Sequence, residues 1–380
     1  MKLENNNADK KISFIGLLWL ISCGLYITQI TAISPVYFIF ILSMILVFLT
    51  NVSCRKWDVS FFTLISLIIS LLSTFLFINS HFSLVINLCM VLLSPMLVDF
   101  YYKGRSITKR NLLNVFLFYS FVFILDGFWR IQHPYLANVD KLEELGIGFQ
   151  IYKVNSLMYA DSNFVGLEAV FILSCFLYFF RDIKIVGLLR VRYFLVFCAL
   201  FVGVVLTFSR AAIIAMILLF VLSVLMKNKR IKAFSYMLMP VLLIVLSWFV
   251  FKKFTDDISF ESKFDLIRYS LEYIKNNNVE VILLGVGLGN AVDVIGMGAH
   301  NLFLTFLIET GMIGLFLFLV LLCIMCIYLK EDAIVIVLPF LIASMSLGTT
   351  AIPYFLPLLG YVFFLKENYL MSFDIVKETT

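Results

Sequence analysis

The sequence predicts an all-α polytopic membrane protein with about 12 transmembrane helices. Three observations predict it. The 380 residues are 62% hydrophobic and only 14% charged, whereas a soluble chain holds about 45–50% apolar residues and about 25% charge. The apolar residues gather in runs near the roughly 20 residues that a bilayer crossing needs. The basic residues fall on alternate sides of those runs, as retention of Lys and Arg on the cytoplasmic side requires. The same composition excludes a soluble enzyme, a disordered chain and a disulfide-stapled secreted domain.

The apolar runs lie near 12–30, 33–50, 59–78, 82–101, 112–129, 163–180, 193–208, 211–226, 233–251, 302–329, 333–347 and 352–365. The first follows Lys10 and Lys11 and lacks a small-residue cleavage site, so it reads as a retained helix. With both termini inside, 20 of the 29 Lys and Arg lie on the inner side. Eight of the remaining nine sit in two long outer loops, 130–162 and 252–301. The ninth is Arg210, the single charge in the stretch 193–226. Basic residues flank that stretch on both sides: Arg190 and Arg192 before it, Lys227 to Lys232 after it. Two passes place both flanks inside and set Arg210 at the outer tip of a hairpin. Each arm is then about 17 residues, near the lower limit for spanning. The whole chain, 1–380, reads as one integral membrane domain carrying the two outer loops.

Loops of this length are usually functional or disordered. The second has an amphipathic pattern. Phe260, Phe264, Ile267, Leu271 and Ile274 recur at helical steps, and Asn276-Asn277-Asn278 ends the run. This stripe is expected on the membrane surface or against the bundle. Arg268 flanks it, one turn from Glu272. Six of the seven cysteines lie within apolar runs and the seventh, Cys54, sits beside Arg55 and Lys56, so neither a disulfide framework nor a metal site is expected; Cys323 and Cys326 read as helix packing.

An ionisable side chain in a membrane segment is costly and is a functional candidate by default. Asp126, Glu168, Arg210, His300 and Glu309 all fall near the outer ends of their helices. A transport path would place such groups near mid-membrane and would show repeated halves, so a flippase or other transporter is the less favoured class. Arg210, in Leu206-Thr207-Phe208-Ser209-Arg210-Ala211-Ala212, has two readings. A guanidinium at the lipid–water boundary suits a phosphate or pyrophosphate; it also suits a tip charge that snorkels to headgroups. Arg268 is either a second cation for an anionic substrate or an exposed partner of Glu272.

Gly285-Val286-Gly287-Leu288-Gly289 has the look of a phosphate-cradling loop. It lacks the strand–helix context and the Lys-Ser/Thr of one, which favours a close backbone turn. His300 is a candidate base or phosphate donor, or a hydrogen-bonded interfacial histidine. On one continuous helix His300 and Glu309 point to opposite faces, so a dyad needs a break near 300; Asn301, Thr305 and Glu309 share a face instead. Glu309 beside Gly311 and Gly314 also fits an interhelical hydrogen bond. Asp161-Ser162-Asn163 reads as the cap of the helix that follows, while Glu168, a turn further in, has no such simple account.

Taken together these pieces resemble the Wzy/WaaL superfamily of polysaccharide polymerases and O-antigen ligases. The resemblance rests on Thr207-Phe208-Ser209-Arg210-Ala211-Ala212, Arg268, the 285–289 glycines, His300-Asn301-Leu302-Phe303-Leu304 and Glu309-Thr310-Gly311-Met312-Ile313-Gly314, and is specific over 205–315. It implies a GT-C-like glycosyltransferase in the bacterial inner membrane, with a large periplasmic loop and a donor glycan on undecaprenyl pyrophosphate. The transfer it implies inverts the anomeric centre and needs no metal or other cofactor. The residues it implies are Arg210, Arg268, His300 and Glu309 for catalysis, and Asn301, Asp161, Asn163 and Glu168 for substrate. The implied partners are the lipid-linked oligosaccharide, membrane lipid, a chain-length regulator and a flippase, with no nucleic acid. A polymerase accepts the next lipid-linked repeat and a ligase accepts lipid A–core; the modest loops and the 41 Phe favour the polymerase. An acyltransferase would share an outward histidine but leaves the two arginines unexplained.

Overall fold

Where no water is at hand, a backbone satisfies its N–H and C=O groups only by closing on itself, so apolar runs become helices. The computed structural model describes residues 10–11, 20–21, 26–27, 29–30, 34–51, 68–69, 72, 80–102, 105–106, 109–137, 139, 148–159, 161–181, 187–227, 258–296 and 301–345, and all that follows concerns these. The helices are α1 (Pro35–Asn51), α2 (Phe82–Tyr102), α3 (Lys109–Gln132), α4 (Ser162–Phe180), α5 (Leu188–Val205) and α6 (Arg210–Lys227), followed by α7 (Ile258–Asn276), α8 (Val279–Leu284), α9 (Ala291–Ile295), α10 (Leu302–Leu329) and α11 (Asp332–Ser344). A short 3-10 helix covers Gly148–Tyr152. The described strands are β1 (Lys10–Lys11) and β2 (Arg105–Ser106), a two-residue parallel pair. That pairing sets two basic segments side by side.

Four described helices are long and apolar enough to cross a membrane: Arg110–Gln132, Ser162–Phe180, Leu188–Val205 and Leu302–Leu329. Shorter apolar helices cover Pro35–Ile45, Phe82–Leu93, Arg210–Met226 and Asp332–Ser344. The expected passes at 233–251 and 352–365, and nearly all of 12–30 and 59–78, lie outside the described residues. The count of about 12 crossings therefore rests on the charge pattern. Phe121, Leu125 and Phe128 on α3, Phe194 and Leu195 on α5, and Phe316 and Ile327 on α10 are exposed large apolar side chains, the outer face a lipid-embedded helix carries.

The chain divides into two compact units. The first comprises 1–73, 86–209 and 351–380. Here α3 packs on α5 and α4, and α4 on α5. α4 is the most deeply buried of the candidate spans. Phe116 of α3 meets Phe176 of α4 edge to face at 5.3 Å, and Phe176 stacks on Tyr193 of α5 at 4.9 Å. The α3–α5 contact is close because two glycines lie in it. A Cβ on Gly203 would sit 3.0 Å from that of Phe123, and one on Gly127 would sit 2.7 Å from that of Leu206.

The second unit comprises 74–85 and 210–350. α6 packs on α11, α11 on α10, and α10 also receives α7, α8 and α9. The apolar run 302–329 is one helix by length, but Gly311 breaks its backbone with φ 66° and ψ −171°. The rings of Phe306 and Phe318, on either side of the break, stack at 4.2 Å.

Three sequence expectations shift. Residues 130–132 belong to α3 rather than to the first outer loop, because Arg130 pairs with Asp126 one helical turn back. The second outer loop is largely helical, holding α7, α8 and α9. The amphipathic stripe of α7 is also rotated. Among its described side chains Leu266 and Ser270 are buried, Ile267 and Ile274 are half-buried, and Phe264 and Leu271 stay exposed.

Candidate functional site

Within the second unit the residues come together through backbone more than through side chains. The glycine loop runs from the C-terminus of α8 to the start of α9. Most of its amides are already engaged within the fold: Val286 N–H donates to the Ile308 carbonyl at 2.9 Å and Gly287 N–H to the Glu309 carbonyl at 3.0 Å. Leu288 N–H donates to Ser80 Oγ at 2.8 Å, and Asn290 N–H to the Gly287 carbonyl at 3.3 Å. A phosphate cradle needs those N–H groups turned toward a ligand. The loop instead docks on the break in α10, the close backbone turn that the missing motif context favoured. Positive φ at Gly285, Gly287 and Gly289 makes the turn.

The same loop captures a distant part of the chain. His81 N–H donates to the Leu288 carbonyl at 2.9 Å, and a Cβ on Gly289 would lie 3.0 Å from His81 Cγ. The sequence does not single out Ser80 and His81, because contacts across about 200 positions leave no local pattern.

Arg210 opens α6 and is half-buried. The four-residue interval 206–209 between α5 and α6 is the expected helix break; α5 then packs with α3 and α4, and α6 with α11. Arg268 lies on α7, which packs against α9 and α10. Its Nε donates to Glu272 Oε1 at 3.1 Å, with both side chains largely exposed. The hydrogen bond and charge of Glu272 raise the guanidinium pKa further, so Arg268 is a fixed cation.

Glu309 is buried on α10, two residues before the break. Asn301 is the N-cap of α10: its Oδ1 accepts from Phe303 N–H and Leu304 N–H, and its Nδ2 donates to the Met345 carbonyl at 3.3 Å. The last contact ties the start of α10 to the end of α11. Thr305 Oγ1 donates back to the Asn301 carbonyl at 2.8 Å. The helix thus begins after Asn301. His300 itself lies outside the described residues.

The other candidates lie in the first unit. Asp161 caps α4: Oδ1 accepts from Asn163 N–H at 2.8 Å, and Asn163 Nδ2 donates to Oδ2 at 3.2 Å. Between them Ser162 Oγ donates to the Thr207 carbonyl at 2.7 Å, fastening the cap to the turn after α5. In that turn Phe208 holds φ 53°, a left-handed conformation that a bulky residue adopts only under constraint.

Glu168 is fully buried; neither carboxyl oxygen makes a hydrogen bond of ordinary geometry among the described residues, and the Tyr159 hydroxyl is the polar side-chain group that faces it. Asp126 is its charged neighbour. Asp126 is also fully buried, but it is satisfied three times: by Arg130 Nε at 2.8 Å, Ser156 Oγ at 2.7 Å and Leu157 N–H at 2.7 Å. Arg130 has no exposed surface. The sequence held a signal for it, the four-residue spacing from Asp126, hidden because the expected helix stopped at 129. Among the described residues no three His, Cys, Asp or Glu side chains gather as a metal ligand set.

A comparison with curated proteins finds no match. Residues 194–319 match the family model Wzy_C, described as O-antigen ligase. That segment contains Arg210, Arg268, the glycine loop, Asn301 and Glu309, the pieces on which the sequence resemblance rests. Over these residues the chain is similar to the O-antigen ligase-like family, which supports the resemblance to the Wzy/WaaL superfamily.

Proposed function

We propose that the protein polymerises O-antigen repeat units at the periplasmic face of the inner membrane. The growing glycan leaves undecaprenyl pyrophosphate and joins a hydroxyl of the next lipid-linked repeat. The hydroxyl oxygen attacks the anomeric carbon, the bond to the pyrophosphate oxygen breaks with its electron pair, and the centre inverts. Charge then develops on the departing pyrophosphate, at the lipid–water boundary. Fixed cations placed there stabilise it without reorganising. Arg210 and Arg268 take this role, and no metal is required. His300 accepts the hydroxyl proton or contacts the pyrophosphate, with Glu309 beside the bend in α10. Asn301, Asp161, Asn163 and Glu168 serve the glycan. About 12 spans in a GT-C-like arrangement hold the site, with both termini cytoplasmic. A chain-length regulator and a flippase are its partners.

The supporting observation is that the helices bearing Arg210, Arg268, Asn301 and Glu309 pack into one unit, which holds most of the matched family segment. Transfer to lipid A–core is the second reading, and the description of the matched family favours it. The modest outer loops and Phe-rich composition favour the polymerase. The surface polysaccharide of a deletion strain, run on a gel, separates the two. Loss of a polymerase leaves core capped with one repeat unit. Bare core with accumulated lipid-linked polymer would establish the ligase instead.

A further inference from the structure

We propose that the buried Asp126–Arg130 pair is a positioning device for the transfer site, setting the turn 207–209 from which Arg210 follows. This rests on the proposed reaction, although its geometric part stands without it. A buried ion pair seldom stabilises a fold more than apolar residues of the same volume would. What this pair does is gather three separate points of one segment. Asp126 accepts from Ser156 Oγ and Leu157 N–H, each at 2.7 Å, while Arg130 Nη1 donates to the Tyr152 carbonyl at 3.0 Å. Ser156 Oγ in turn accepts from Met158 N–H at 3.1 Å and Tyr159 N–H at 3.2 Å. The segment closes where Ser162 N–H meets the Lys153 carbonyl at 2.9 Å.

The held segment reaches the turn at two places. Ser162 Oγ donates to the Thr207 carbonyl at 2.7 Å, and the Tyr152 ring lies 5.5 Å from that of Phe208. Thr207 Oγ1 donates to the Val204 carbonyl at 2.7 Å and accepts from Ser209 N–H at 3.3 Å. The left-handed Phe208 is thus held from both sides, the over-determination that a strained residue needs in order to persist. Ser209 closes the turn, and Arg210 is the next residue in the chain.

Two variants cut the chain of contacts at opposite ends. Arg130→Lys keeps the charge opposite Asp126 and loses the fork that also reaches Tyr152. Ser162→Ala removes one hydroxyl and leaves the ion pair untouched. The full-length protein in lipid nanodiscs is followed by hydrogen–deuterium exchange and by turnover of purified lipid-linked repeat units. Both variants are expected to raise exchange in the 205–210 peptide at least fivefold, with the helix interiors unchanged. Both are expected to lower kcat at least tenfold while KM for the lipid-linked substrate stays within twofold of wild type. A protein that only needs the pair in order to fold would lose active fraction, with an unchanged kcat per folded molecule. Unchanged exchange at 205–210 in Ser162→Ala would overturn the proposal, as would unchanged kcat against an active wild type. An inactive wild type with the exchange changes present would instead remove the polymerase reading and leave the placement of the turn supported.

Discussion

Gly285 and Gly311 stand backbone to backbone. A Cβ on Gly285 would fall 2.6 Å from the Gly311 nitrogen, and a Cβ on Gly311 would fall 2.6 Å from the Gly285 nitrogen. Both residues have positive φ. The glycine loop and the bend in α10 are therefore one construction.

Gly285→Ala and Gly311→Ala should each be strongly destabilising. The left-handed backbone alone costs about 1–3 kcal/mol for a residue with a Cβ, and here the clash is with main chain that has nowhere to move. Gly289→Ala should be milder, since the atoms it meets belong to the side chains of Leu84 and His81. Thermal unfolding of the purified variants should rank the first two well below the third. Equal melting temperatures would mean that the loop does not dock on the bend.

Glu168 offers a separation of stability from activity. Its carboxyl is fully buried and poorly satisfied, and replacing such a group with an apolar one of similar shape relieves about 1–3 kcal/mol. Glu168→Met should therefore melt higher than wild type while forming shorter glycans. A variant that is both more stable and fully active would show that Glu168 does not serve the glycan.

Much of the fold could be read from hydropathy. The run 302–329 matches α10, and 163–180 matches α4 to within one residue at its start. The split of 193–226 into α5 and α6 followed from one arginine between two basic flanks. The bend at Gly311 was not legible, because hydropathy does not register a single φ inside a uniformly apolar run. Nor was the docking of Ser80 and His81, which links elements far apart in sequence. The i, i+4 pairing of Asp126 and Arg130 was written in the chain. It stays hidden because the apolar run ends at Trp129, although a buried pair allows a helix to carry charge past that limit. Of the site, Asp161 was legible as a helix start, since an Asp cap has a local signature, whereas Asn301, read as part of a helix face with Thr305 and Glu309, is the cap of α10.

Arg268 and Glu272 are largely exposed, so their pairing should matter little to the fold. Glu272→Ala should leave the melting temperature unchanged. Arg268→Ala should leave it unchanged as well but reduce turnover, to the same extent in the wild-type and Glu272→Ala backgrounds. Loss of activity from Glu272→Ala equal to that from Arg268→Ala would transfer the role to the pair.

The topology is open to direct reading. Reporter fusions at 140 and 270 should report the periplasm, and those at 105, 187 and 229 the cytoplasm. A cytoplasmic signal at 270 would put Arg268 on the wrong side of the membrane for a periplasmic donor.

Arg210 carries the central claim, and turnover of lipid-linked repeat units by Arg210→Lys, measured at matched protein levels beside Arg210→Ala, tests it most directly. Lys keeps the charge and the long stem but loses the planar fork that grips two phosphate oxygens. A residue that stabilises the departing pyrophosphate supplies about 3–4 kcal/mol, or roughly a hundred- to thousandfold in rate. The account predicts that Arg210→Lys is severely impaired and Arg210→Ala nearly inactive. A tip charge that only snorkels to headgroups asks for a stem and a charge and nothing more. Wild-type turnover by Arg210→Lys and Arg210→Ala, both at wild-type abundance, would contradict the account.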